Sequence, residues 1–135
     1  MAEFDAAEKA TKTANPGSKK AAQQADVEAA VREKIAAMPV QFSGIAEQLH
    51  ALILRSAPGL RPRLWYGMPA YEKDGRTVCF FRADKNCMTF GFTQEAGLTC
   101  EEGAPDRLIE CAWFLTSMDD ATAARLSGIV KKFAR

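Results

Sequence analysis

The chemistry available to this chain starts with four cysteines, one histidine and two runs of like charge. Cys79, Cys87, Cys100 and Cys111 stand eight, thirteen and eleven positions apart, and His50 is the lone imidazole. A structural zinc site draws its ligands from cysteines or histidines paired at short spacing. No such pair is present, so zinc is weakly signalled. Cys79 and Cys111 fall in strand-like runs and read as small buried hydrophobes. Cys87 is the weak candidate among them for metal or thiolate chemistry, since a thiolate can bind soft or borderline metals. A cysteine nucleophile needs a base in reach, and His50 lies on the flank of a helical stretch, so no nucleophile–base pair emerges and a non-enzymatic domain is expected.

Carboxylates gather late in the chain. Glu95, Glu101, Glu102, Asp106, Glu110, Asp119 and Asp120 face only Arg107 among basic residues. Hard oxygen ligands suit iron, calcium or magnesium, and Glu101 with Glu102 are the weak metal candidates beside Cys87; an acidic run is more often a solvated face. Basic residues concentrate earlier, with Arg55, Arg61, Arg63, Lys73, Arg76, Arg82 and Lys85 against Glu72, Asp74 and Asp84. That stretch would attract an anion or an acidic partner. The whole chain is nearly balanced at +1, and no helix-turn-helix, phosphate loop or stacking-aromatic signature is present, so nucleic acid is a minority reading.

The elements that must position these groups follow from spacing. Met1 to Gln24 lacks hydrophobic periodicity and carries Asn15, Pro16 and Gly17, so it is expected as a flexible tail on a domain spanning 25–135. It also lacks the apolar run of a signal peptide. No later stretch approaches the roughly 20 apolar residues of a membrane span, which sets the expectation of a cytoplasmic protein with reduced thiols and no membrane partner. Asp26 reads as an N-cap, with Val27, Val31, Ile35 and Met38 at helical spacing until Pro39. Phe42, Ile45, Leu49, Leu52 and Ile53 form the stripe of a second helix, which ends at Ala57, Pro58 and Gly59. Strands are expected over Arg63–Tyr66, Thr77–Phe81, Met88–Phe92 and Cys111–Thr116, with an Asp74-Gly75 hairpin turn. A loop fills Thr93 to Asp106. A last helix through Ala121, Ala124, Ile129 and Phe133 opens at a Ser117–Asp120 capping box. The fold class is therefore α+β: an antiparallel sheet of four to five strands with two N-terminal helices and one C-terminal helix packed on it.

Two strands are apolar on both faces. Val78 and Phe80 alternate with Cys79 and Phe81, and Trp113 and Leu115 alternate with Ala112 and Phe114. A sheet wet on one side normally alternates polar with apolar, so the second face calls for cover. The protein's own helices are the first expectation, and a ligand or a partner chain in a homodimer is the alternative.

The run Trp65, Tyr66, Gly67, Met68, Pro69, Ala70, Tyr71 asks for a bend. Gly67 permits unusual backbone angles and Pro69 cannot donate to a ladder. Either it is a folding corner packed by its aromatics, or Trp65, Tyr66, Met68, Pro69, Tyr71 and Phe81 line a shallow pocket with Lys85 as an anion handle. With the Asp74-Gly75 turn and the segment Cys79 to Asn86 that follows, this run resembles the signature of the YdhG-like family, a domain-of-unknown-function family, over roughly Val27 to Arg135. The resemblance implies an α+β domain with an antiparallel sheet, and some members are labelled frataxin-like intracellular iron chaperones. Small molecules or metal ions, iron among them, are then the implied partners. Members often carry histidine directly after the lysine-asparagine step; Cys87 stands there in this chain.

Overall fold

A computed structural model describes residues 16–134 of the chain, with side chains described from Gln23 onward. Two helices, α1 (Pro16–Ala36) and α2 (Val40–Ser56), precede five strands: β1 (Arg61–Trp65), β2 (Met68–Lys73), β3 (Arg76–Ala83), β4 (Met88–Phe92) and β5 (Ala112–Leu115). A last helix, α3 (Asp120–Phe133), closes the chain. The strands form one antiparallel meander in the order β1-β2-β3-β4-β5. The α+β class expected from spacing is the observed one.

Helix α1 begins ten residues before Asp26, the expected cap. The expected tail boundary at Gln24 therefore falls inside a helix, while residues 1–15 lie outside the described residues. Two local preferences account for the early start. Proline suits the first helical turn, where its missing N–H would be orphaned anyway, and the lysine- and alanine-rich segment after it has high helix propensity. Gln24 is held further: its Nε2 donates to the Pro62 carbonyl at 3.3 Å. Pro39 ends the helical pattern of α1 and stands as the N-cap residue of α2.

The stretch that asked for a bend is a second two-residue hairpin. Tyr66 and Gly67 have φ of 51° and 75°, and Trp65 pairs with Met68. Positive φ at both central positions is the type I′ geometry that matches strand twist, repeated at Asp74 (53°) and Gly75 (79°). Met68 to Lys73, read as a corner, is thus a full strand. Pro69 is tolerated because Leu64 and Pro69, one step beyond the hydrogen-bonded pair that closes the two-residue turn, form a non-hydrogen-bonded pair, so its nitrogen faces away from Leu64, and pairing with β3 starts only at Ala70.

Cross-strand register sorts the side chains onto two faces. Tyr71, Cys79 and Phe92 form one row, Phe81, Phe90 and Trp113 the next, and Met88 with Leu115 a third. These residues cluster with Val31 and Ile35 of α1, Phe42, Ala46, Leu49, Leu52 and Ile53 of α2, and Leu126 and Val130 of α3. The core is therefore one sheet face against all three helices. The Ser56 and Ser127 hydroxyls bond at 2.9 Å between α2 and α3. Asp119, rather than Ser117, caps α3: its carboxylate accepts from the Thr122 N–H at 2.8 Å, which lowers the Asp119 pKa.

The expectation that these helices would also cover the second face is not met. Among the described residues all three helices pack on one side of the sheet, so none of them covers the other.

Candidate functional site

The second face is a grid set by strand register. Arg63, Ala70, Phe80, Gly91 and Ala112 align across the five strands; beside them run Trp65 and Met68, and then Arg82, Thr89 and Phe114. Phe80 lies over Gly91 so closely that a Cβ there would stand 2.9 Å from its ring tip. Its ring also meets Trp65, with centroids 5.4 Å apart, and Trp65 meets Tyr66 edge-on at 4.9 Å. Tyr66, at the tip of the first hairpin, is 86% exposed, and Phe114 on the edge strand β5 is 76% exposed. An aromatic stripe thus runs from the exposed Tyr66 through Trp65 to Phe80, and a second exposed ring, Phe114, stands on the edge strand.

Charge on this face is nearly self-cancelling. Arg63 pairs with Glu72 at 3.1 Å, and Arg82 pairs with Asp84 at 3.1 Å. Asp84 also accepts from the Thr89 hydroxyl. Arg61, two residues before Arg63 on β1 and opposite Glu72, has no ion-pair partner among the described residues. A face that binds a polyanion carries unpaired cations in numbers; this one presents apolar surface between neutralised pairs.

The residues singled out from sequence separate into three places. Trp65, Tyr66 and Met68 belong to the open face and its rim. Pro69, Tyr71 and Phe81 point into the helix-covered core, where Tyr71 and Phe81 are fully buried. Lys85 is exposed in the β3–β4 turn, at the same end of the meander as the Tyr66-Gly67 turn. Met68 and Pro69 do line a cleft of about 270 Å³, but its cations are Lys34 and Arg82. Phe80, Arg82 and Phe114 belong to the open face as well, and for Phe80 and Phe114 the apolar alternation of β3 and β5 carries the signal.

Tyr71 has a buried polar tie instead of a ligand. Its hydroxyl lies 2.7 Å from His50 Nδ1 on α2. Burial first, then the nearby Cys79, raises the Tyr71 pKa, while burial first, then Arg32, lowers that of His50 against a smaller opposing effect of Glu28. The only imidazole of the chain is therefore held neutral against a tyrosine.

The metal candidates do not assemble. Cys87 sits in the β3–β4 turn, its carbonyl accepting from the Asp84 N–H at 2.8 Å, whereas Glu101 and Glu102 are exposed in the segment before β5. Among the described residues no group of three or more His, Cys, Asp or Glu side chains is placed to hold a metal ion, so the donor set does not fit an iron site. All four cysteines are free; burial pushes the Cys79 thiol up, and Cys111, expected to be buried, is exposed just ahead of β5. No helix of the described residues is long and apolar enough to cross a membrane.

No protein-family model, no curated protein and no solved structure matches the chain.

Proposed function

We propose that the chain is a non-enzymatic interaction module that pairs with a second copy of itself through the uncovered face of its sheet. The observation that carries this is the stripe Tyr66, Trp65, Phe80, Phe114 on a face that no helix of the described core packs against. Exposed aromatic patches of this kind mark association surfaces.

Charge selects the occupant. A two-fold interface brings a surface against itself, so any single-sign field on it is repulsive. Here both main cations are already neutralised by neighbours on the same chain, which suits a self-facing surface and gives nothing to an acidic or basic partner. Shape agrees: the protruding Phe114 stands two residues along β5 from exposed Ala112, whose row neighbour is Gly91. A knob beside small residues is what an isologous contact requires.

Sedimentation velocity tests the proposal. Wild-type protein should move from monomer to dimer between about 1 μM and about 100 μM, the range in which a modest interface populates its complex. Phe114→Asp should stay monomeric with an unchanged far-ultraviolet dichroism spectrum. A wild-type chain that stays monomeric throughout, or a Phe114→Asp variant that still dimerises, overturns it.

A further inference from the structure

Between β5 and α3 lies a groove that meets the open face at Phe114. Two adjoining cavities, of about 270 Å³ and about 480 Å³, are both lined by Trp113, Arg125 and Ile129. The larger one runs between α3 and the segment from Thr99 to Glu110, and its volume is within the range of small-molecule sites.

Three features of its wall are complementary to one kind of ligand. First, the Trp113 indole stacks on Phe90 at 6.1 Å and meets Phe92 edge-on at 6.0 Å, and its Nε1 is shielded from solvent without any hydrogen-bond partner among the described residues. A buried indole N–H without an acceptor is costly and uncommon in folded proteins. Second, α3 contributes Arg125 and Lys132, seven positions apart and so on one helical face, neither in an ion pair among the described residues. Third, the facing segment contributes Glu101, Asp106 and Glu110, which make no salt bridge to α3. Between the charged walls stand apolar residues, with Leu108 80% and Ile109 43% exposed.

A cationic wall and an anionic wall that do not close on each other, with apolar surface between them, match a zwitterion with an apolar body. We infer that this groove binds a small apolar α-amino acid, free or as the end of a short peptide. Its carboxylate is received by Arg125 beside the Trp113 indole, its ammonium by the Glu101, Asp106 and Glu110 wall, and its side chain by Leu108, Ile109 and Ile129. Charge-assisted bonds at both ends of the ligand set its orientation; the apolar wall sets its class.

The two indoles of the chain make the test direct, since only Trp65 and Trp113 give indole N–H peaks in a nitrogen–proton correlation spectrum, and Trp65→Phe identifies the Trp113 peak. L-phenylalanine added to the full chain should shift the Trp113 peak saturably by about 10 mM, where a site of millimolar affinity is filled. Phenethylamine and 3-phenylpropionate, each lacking one charge, should bind at least about tenfold more weakly, the loss of one charge-assisted contact. Arg125→Gln, at an exposed position, should abolish the shift while leaving the rest of the spectrum in place. The dipeptide Leu-Phe separates the two sources: binding tighter than phenylalanine assigns the site to a peptide end, weaker binding to the free amino acid. No Trp113 shift with either ligand, or equal affinity for the two single-charge analogues and phenylalanine, overturns the inference. The dimer is read independently by sedimentation.

Discussion

The hydroxyl of Tyr71, on the second strand, is 2.7 Å from Nδ1 of His50, on the second helix, a buried polar bond that ties sheet to helix within a largely apolar layer. With the imidazole proton on Nε2, the hydroxyl donates to Nδ1. Protonating the ring removes that acceptor and places a charge in a buried site beside Arg32.

Stability should therefore fall in acid by a route that depends on His50. Its folded pKa is depressed below the ordinary 6.5, so the unfolded chain binds the extra proton first. The stabilisation is complete above about pH 6.5 and is lost as pH falls towards the folded value. Urea midpoints at about pH 7.5 and about pH 5.5 should differ in the wild type, and the His50→Leu variant should lose most of that difference. Equal pH dependence in both proteins would place the acid sensitivity elsewhere.

Removing the hydroxyl alone is a separate test. Tyr71→Phe keeps the packed ring but leaves Nδ1 without its partner, and should cost about 1–3 kcal/mol. Tyr71→Ala empties a fully buried ring site and should cost about 3–5 kcal/mol. Chemical denaturation of both variants checks the order.

Tyr66 should behave in the opposite way. It holds a left-handed backbone conformation at φ 51° with its ring exposed, and that conformation costs a non-glycine residue roughly 1–2 kcal/mol. Asparagine before glycine is the preferred pair for this turn, so Tyr66→Asn should raise the thermal midpoint by a few degrees. The same variant removes one ring from the open face and should weaken self-association. A stability gain coupled to an association loss is the signature of a residue kept for its surface.

Gly91→Ala probes the centre of that face. The added Cβ meets the Phe80 ring tip at 2.9 Å and the Cys111 carbonyl at 3.4 Å, so the ring must lift at a cost of about 1–3 kcal/mol. Because Phe80 touches Trp65, the emission of Trp65, measured in a Trp113→Phe background, should change with it.

Much of this architecture was legible in the pattern of residues. The stripe of α2, the Asp74-Gly75 turn and the exact span of β4 follow from apolar spacing and turn chemistry acting locally. The second strand was not legible, because Gly67 and Pro69 weaken a strand in general, and only the register of a two-residue turn shows that the proline's missing N–H falls where no bond is needed. The start of α1 was obscured for a related reason: a polar, alanine-rich segment has no stripe to read, and its order depends on contacts such as Gln24 with Pro62. Of the candidate site, the aromatic content of Trp65 and Tyr66 was readable, as was the doubly apolar character of β3 and β5. Which face would go uncovered was not, since that depends on where three helices settle in space. Tyr71 and Phe81 illustrate the cost: one residue of offset along a strand separates a buried ring from an exposed one.

The bond from Gln24 to Pro62 bears on how many copies can join. Pro62 has no N–H to offer, and its carbonyl, on the outer side of the first strand, is already taken. One border of the sheet is thus blunted, and the other is a strand of four residues. Strand-by-strand growth needs two receptive borders on every unit. A chain with one blunted border can be extended at the other alone, so continuous growth of the sheet from copy to copy is disfavoured by construction.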